Sequence, residues 1–211
     1  MNMKTKYKIM IKERIESYGI DSLLDNESIS ALTGIPAEEL SEYIDTYGLP
    51  EIIKYIDTMN ITKAQREKLE ILFSIAKRIN LSSYKGRVSL NNASVAGEYF
   101  KCQLQFNNTE VFLLALLDSQ NRLLRTVAIS KGTINEAVVH TRELVKTALN
   151  NNANAVILGH NHPSGSTKPS TQDIDLTHKI ENALKTVNIK VLDHIIVAED
   201  KYISLKEVGA I

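Results

Sequence analysis

Cysteine is nearly absent: Cys102 is the one thiol in the chain. No disulfide can close within it, and a reducing, cytoplasmic setting is the expectation. Net charge is absent too, with 25 basic residues against 25 acidic ones. That removes any global electrostatic case for a nucleic-acid or membrane-surface partner. Long apolar runs are missing as well. The longest, Val111–Leu117, falls far short of the ~20 residues that span a bilayer. The basic start, Met1-Asn-Met-Lys-Thr-Lys-Tyr-Lys, is not followed by an apolar segment, so no leader is expected. What is present is ordinary for a globular protein, 43% hydrophobic and 24% charged over 211 residues. That is enough chain for one large or two small domains with a proper core.

Residues 1–80 show no strand pattern. Ile29, Leu32, Leu40, Ile44, Ile52, Ile56, Leu69 and Leu72 recur at helix-like intervals. Breaks fall at Gly19, Gly34-Ile-Pro36, Gly48-Leu-Pro50 and Asn60-Ile-Thr62, which predicts four or five short helices. Pro36 and Pro50 stand where first-turn prolines are tolerated. Thr62 is a suitable N-cap for a long helix over 63–79. Charge is uneven: residues 15–62 hold one basic residue, Lys54, against ten acidic ones. Residues 81–87 read as a linker.

Residues 88–211 alternate between the two periods. A helix is expected over Ala93–Leu104, started by Asn91-Asn92. Thr109–Asp118 reads as a buried strand, and a turn at Ser119-Gln-Asn-Arg leads into a second strand, Leu123–Ile129, making a hairpin. Glu143–Leu149 is helical, with Leu144, Val145, Ala148 and Leu149 on one face. A short apolar strand, Ala155–Gly159, precedes a loop and then a helix over 171–187. Strands over Lys190–Ala198 and Tyr202–Leu205 close the chain. A hairpin followed by β-α-β predicts an α/β fold: a mixed sheet with helices on both faces, behind a small all-α N-terminal domain.

Chemistry concentrates in His160-Asn-His162-Pro-Ser-Gly-Ser-Thr-Lys-Pro-Ser170-Thr-Gln-Asp173. His160 and His162 stand at i and i+2 at the end of a strand, so both imidazoles can project to one face. Pro163, Gly165 and Pro169 hold the next stretch as a loop. Ser170 is then a natural N-cap, with Asp173 in the first helical turn. Two imidazoles and a returning carboxylate make a facial set of three ligands. Zinc held so keeps a fourth position open, the pattern of a catalytic site. Ser170, on a helix N-terminus beside that site, is placed to donate to a developing oxyanion. Taken singly, each half has a plainer explanation: an isolated His-x-His pair is weak, and Ser-x-x-Asp is commonly a cap. Glu110, at the mouth of an apolar strand, reads either as a functional carboxylate or as a solvent-facing strand end. His194 lies within an apolar strand, as a supporting group or simply packed. His140 borders helix 141–149, and His178 falls on a helix surface.

Together, the pieces resemble the His-x-His-x(7)-Ser-x(2)-Asp signature of the JAB/MPN-type (JAMM) metalloproteases. The wording His-Asn-His-Pro-Ser-Gly is similar to the RadC branch. Further matches are Arg122-Leu-Leu, Lys131-Gly132-Thr, Val139-His-Thr-Arg-Glu143, Asn154-Ala-Val-Ile, Leu192-Asp-His-Ile-Ile-Val197 and Tyr202-Ile-Ser-Leu-Lys-Glu-Val-Gly209. The resemblance spans roughly residues 88–211. It implies a JAB/MPN and cytidine-deaminase-like architecture, one Zn²⁺ on His160, His162 and Asp173, and peptidase or isopeptidase chemistry on a peptide or protein substrate. It also implies Glu110 as general base and acid, because Glu110-Val-Phe-Leu-Leu looks like the glutamate-bearing strand start of these enzymes.

RadC-type proteins carry a small helical domain in front, usually with a helix-hairpin-helix whose Gly-x-Gly turn meets DNA phosphate. Here Met59-Asn-Ile-Thr62 stands at that turn without either glycine, and the surrounding charge is acidic. The competing function, a DNA-repair accessory protein with a secondary metal site, rests on the family's traditional label and loses support from both features. A His-Asn-His nuclease would spread those letters over a ββα unit. A zinc deaminase needs a Cys-x-x-Cys pair that one cysteine cannot supply.

Overall fold

The structure, a computed structural model, describes residues 3–82, 88–131 and 140–211. Two compact units meet in the chain between Ala76 and Lys77. Among the described residues, no helix is long and apolar enough to cross a membrane.

The first unit is helical, as its periodicity predicts. Helices α1 (Met3–Tyr18), α2 (Asp25–Thr33), α3 (Ala37–Tyr47) and α4 (Lys63–Ser82, within which the division at Ala76 falls) are joined partly by 3-10 turns over Ile20–Ser22 and Leu49–Tyr55. Gly34 ends α2 in the left-handed region at φ 78°, where a side chain would be strained. Ile35, Leu40, Ile52 and Leu69 are fully buried at the centre. Thr62 caps α4 reciprocally: its Oγ1 accepts from Gln65 N–H at 3.3 Å, and Gln65 Oε1 accepts from Thr62 N–H at 2.9 Å. The helix runs to Ser82 and so takes the first two residues of the stretch read as a linker. Residues 83–87 of that stretch lie outside the described residues, as do the family matches within 132–139.

The second unit is the mixed α/β layer. Helix α5 (Ala93–Leu104) begins on Asn92, whose side chain accepts from Val95 N–H at 2.8 Å. Strands β1 (Val111–Leu117) and β2 (Leu123–Lys131) form the hairpin. Helix α6 (Thr141–Asn150), strand β3 (Ala155–Asn161), helix α7 (Thr171–Lys185), and strands β4 (Lys190–Ala198) and β5 (Lys201–Ser204) follow. The sheet order is β2-β1-β3-β4-β5, and only the β3–β4 pair is parallel. Alternation along β1 and β3 sends Val111, Leu113, Ala155 and Ile157 to the α5 face. Phe112, Leu114, Val156 and Leu158 go to the face covered by α6 and α7.

Most element ends shift by one or two residues from expectation, and three of the shifts have a visible cause. Strand β3 runs on through His160 and Asn161, because His160 pairs with Phe112 of β1 on one side and Ile196 of β4 on the other. Helix α7 stops at Lys185 rather than 187. Asn188 turns left-handed at φ 59° and Ile189 N–H returns to Leu184 C=O at 3.0 Å, which drops Ile189 into the core. Strand β1 is shorter than Thr109–Asp118, since Asp118 belongs to the hairpin turn, accepting from Gln120 N–H at 2.8 Å and Arg122 N–H at 3.0 Å. Two glycines are dictated by close approach: a Cβ on Gly97 would lie 2.1 Å from the ring of Tyr202, and one on Gly159 2.2 Å from the buried ring of Phe100.

Candidate metal centre

His160 and His162 arrive from the end of β3. His160 is wholly buried on the α6/α7 face. Its ring lies parallel to that of its register partner Phe112, at 11° and 6.0 Å between centroids. His162 is one residue past the strand, yet its N–H still pairs with Val197 C=O at 2.8 Å. The chain then turns at Pro163-Ser164, with Gly165 N–H returning to His162 C=O at 3.2 Å. That turn brings the carbonyl of Ser166 to His162 Nδ1 at 2.7 Å. A carbonyl only accepts, so Nδ1 carries a hydrogen, and in the neutral ring, the form that binds a metal, Nε2 presents a lone pair.

Asp173 comes back at the head of α7 and is aimed by the cap. Its Oδ2 accepts from Ser170 N–H and Ser170 Oγ–H, both at 2.7 Å, while Ser170 Oγ accepts from Asp173 N–H at 3.1 Å. This occupies one carboxylate oxygen and leaves the other, Oδ1, facing His160. His160 Nε2 stands 2.9 Å from His162 Nε2 and 3.2 Å from Asp173 Oδ1. His162 Nε2 is 3.5 Å from Asp173 Oδ2.

Those separations suit a cation. Atoms each ~2.0–2.1 Å from one tetrahedral zinc stand roughly 3.3 Å apart. Asp173 Oδ1 is buried and accepts no hydrogen bond. A buried charged oxygen without a donor is costly, and a metal ion at the point shared by the three side chains would satisfy it. The donor set, two imidazoles and a carboxylate, suits zinc. Among the described residues these three side chains form a cluster able to hold a metal ion, their ligand atoms within 4.8 Å of one another.

The electrostatics agree. Burial opposes ionisation of Asp173, but the imidazoles of His160 and His162 and the Ser170 hydroxyl outweigh it, holding the carboxyl well below the usual carboxylate range. Asp173 beside it raises the His162 imidazole above its ordinary value; partial burial opposes this, while the Ser166 carbonyl and the charge of Glu110 add to it. Complete burial, then the neighbouring His160, push His194 well below its ordinary value, so that ring is neutral.

Glu110 immediately precedes β1 and is half-buried. Extended two residues beyond the Phe112–His160 pair, the antiparallel β1–β3 register brings Glu110 opposite His162. The residue between the two histidines holds this segment. Asn161 Oδ1 accepts from Val111 N–H at 2.8 Å, and its Nδ2 donates to Asn107 C=O at 3.2 Å and Thr109 C=O at 3.1 Å.

All five residues singled out from the sequence therefore occupy one corner of the sheet. Of the other histidines, His178 is on the α7 surface, 3.7 Å from Glu181. His140 is exposed at the start of α6. His194 is fully buried with its Nε2 2.8 Å from His160 Nδ1. Sequence reasoning missed Asn161 and Thr177 altogether. The one available signal was a polar pair, Asp193-His194, set in an apolar strand, where burial demands partners.

The family model described as RadC-like JAB domain matches residues 90–210. The chain is 33% identical to a UPF0758 protein of Haemophilus ducreyi over 215 aligned residues, covering 96% of each chain. It is 32% identical to a UPF0758 protein of Saccharophagus degradans, covering 94% of each. A UPF0758 protein of Finegoldia magna is 33% identical, with 93% of each covered. The family model covers more than half of the chain and the similarity to these relatives runs over nearly its whole length, so the chain belongs to the RadC-like JAB domain family.

Proposed function

We infer that this protein is a zinc-dependent hydrolase of amide bonds, of peptidase or isopeptidase type, with His160, His162 and Asp173 holding the metal. The observation that carries the reading is the buried Asp173 Oδ1, which no donor satisfies, 3.2 Å from His160 Nε2, itself 2.9 Å from His162 Nε2. Zinc bound there would polarise the scissile carbonyl and acidify a water molecule. The chain's own groups supply the rest. Glu110 takes a proton from the attacking water and returns it to the leaving nitrogen, a role worth ~10²–10⁴-fold. Asp173 and the two imidazoles fix where the carbonyl sits. Ser170 lies beside that point, but its hydrogen is directed to Asp173 Oδ2. It serves an oxyanion only by rotating away from the carboxylate.

The test pairs metal analysis with cleavage. Purified protein dialysed against zinc is expected to retain one ion per chain and to cut members of a mixed peptide and isopeptide library, read by mass spectrometry. A wild-type chain that binds no more zinc than His160→Ala would overturn the reading, and so would cleavage undiminished in Glu110→Gln.

A further inference from the structure

Two buried polar side chains beside the centre take no part in the chemistry above. Thr177 sits one turn after Asp173 on α7, and His194 lies on β4; both are fully buried. Thr177 Oγ1 is 2.6 Å from the backbone carbonyl of Asp173 and 2.6 Å from His194 Nδ1. His194 Nε2 is 2.8 Å from His160 Nδ1. The four groups form a closed ring: Asp173 backbone, Thr177, His194, His160, and back to the Asp173 carboxylate at 3.2 Å.

The direction of the hydrogens around this ring follows from its ends. A carbonyl accepts and never donates. At 2.6 Å two oxygens with no hydrogen between them repel, so the Thr177 hydroxyl must donate to Asp173 C=O. Having one hydrogen, Thr177 Oγ1 can then only accept from His194, which puts the His194 hydrogen on Nδ1. His194 Nε2 is left with a lone pair, which accepts from His160 Nδ1–H. His160 Nε2 therefore has no hydrogen and aims its lone pair at the point shared with His162 and Asp173. The opposite direction would place a hydrogen on His160 Nε2, where a ligand cannot have one.

We propose that Thr177 and His194 are positioning residues that set the tautomer of His160, with the backbone carbonyl of one metal ligand dictating, through two side chains, the binding state of another. This rests on the reading of His160 as a ligand. It assigns a role to residues separated from His160 by seventeen and thirty-four positions. Phe112 encloses the relay, its ring meeting His194 edge-on at 5.5 Å and 66°, so no exposed surface offers a competing donor there.

The test uses the full chain with two readouts: zinc affinity by chelator competition, and the tautomer of His160 in the metal-free protein by ¹⁵N–¹H imidazole correlation spectra. Thr177→Val keeps the shape but removes the acceptor for His194 Nδ1–H. The His194 hydrogen is then better placed on Nε2, and His160 is forced to carry its own on Nε2. Expected are a switch of His160 from the Nδ1–H to the Nε2–H form and a loss of zinc affinity of about 10–100-fold. Thr177→Ser restores both, and His194→Gln, whose side-chain oxygen can accept from His160 Nδ1–H, retains more affinity than His194→Phe. Unfolding curves for each variant separate a lost fold from a lost tautomer. Wild-type affinity and tautomer in a folded Thr177→Val chain overturn the proposal, as does a Thr177→Ser chain no better than Thr177→Val. Should wild type bind no zinc at all, the metal reading falls, and the relay is decided by the spectra alone. Nδ1–H on His160 in wild type and its loss in Thr177→Val uphold the relay; Nε2–H in wild type removes it.

Discussion

The side chain of Asn161 accepts the backbone N–H of Val111 at 2.8 Å, across the sheet and fifty positions away in the chain. With its two donations to Asn107 and Thr109, it ties down the segment that carries Glu110. The central residue of His-Asn-His thus faces away from the histidines and holds the carboxylate segment that stands opposite them. Asn161→Ala is expected to leave zinc content unchanged, since neither imidazole depends on it. It should lower stability by about 1–3 kcal/mol, the cost of a buried N–H left without an acceptor. Turnover should fall through kcat rather than KM, because Glu110 loses its placement. Denaturant unfolding, metal analysis and steady-state kinetics read the three outcomes.

Glu110 and His160 should separate cleanly. Glu110→Gln keeps size and metal but cannot accept a proton, so activity on any identified substrate should drop ~10²–10⁴-fold with zinc retained. His160→Ala should lose zinc and activity together. A Glu110→Gln chain that also sheds its zinc would make Glu110 a ligand rather than a base.

Ser170 has two functions in one hydroxyl, capping α7 and orienting Asp173. Ser170→Ala should cost about 1 kcal/mol from the lost cap. It should also loosen zinc binding, since Asp173 Oδ2 retains only the Ser170 backbone N–H. If the hydroxyl also serves an oxyanion, activity at saturating zinc should fall a further ~10²–10³-fold. Kinetics with zinc held in excess distinguish the two roles.

Proton and metal compete for His162 Nε2. Asp173 raises the affinity of this imidazole for protons, so the charged form persists to higher pH than in a free histidine. Zinc needs the neutral form, and its affinity should weaken as pH falls through the raised value, above about 6.5. The stability of the metal-free protein should move oppositely. A group whose folded value exceeds its unfolded one contributes fully below about 6.5, and that contribution is lost as pH rises through the folded value. Zinc titrations and urea unfolding of the metal-free chain across pH 5–9 test both signs. In His162→Gln both pH dependences should flatten.

The helical unit should be a poor reader of DNA. At the turn where a phosphate would be expected, Asn60 N–H is already donated to the Glu39 carboxylate at 2.8 Å, and Thr62 N–H to Gln65 at 2.9 Å. A carboxylate at that place repels phosphate. The full chain is expected to bind duplex DNA no better than the ~10⁻⁴–10⁻⁶ M typical of non-specific contacts at physiological salt. Sub-micromolar binding in a fluorescence titration would contradict this, and Glu39→Gln should then tighten it.

The meeting of His160, His162 and Asp173, the cap and the layer order were legible in the chain because each is written in local spacing. Strand alternation puts His160 and His162 on one face, and Ser170 with Asp173 is a three-residue cap whose geometry needs only the helix it starts. The alternation of apolar strand and amphipathic helix likewise sufficed for a mixed sheet covered on both faces. Tertiary structure alone decided what holds those three side chains. His194 meets His160 only because β4 lies parallel to β3, and Thr177 reaches His194 only because α7 packs over that pair. Asn161 finds Val111 only through the antiparallel register of β1 and β3. A spacing rule describes neighbours along the chain, and it carries no information about which distant strand will supply a buried polar group with its partner. Packing settles that, since every buried donor and acceptor must be satisfied at once.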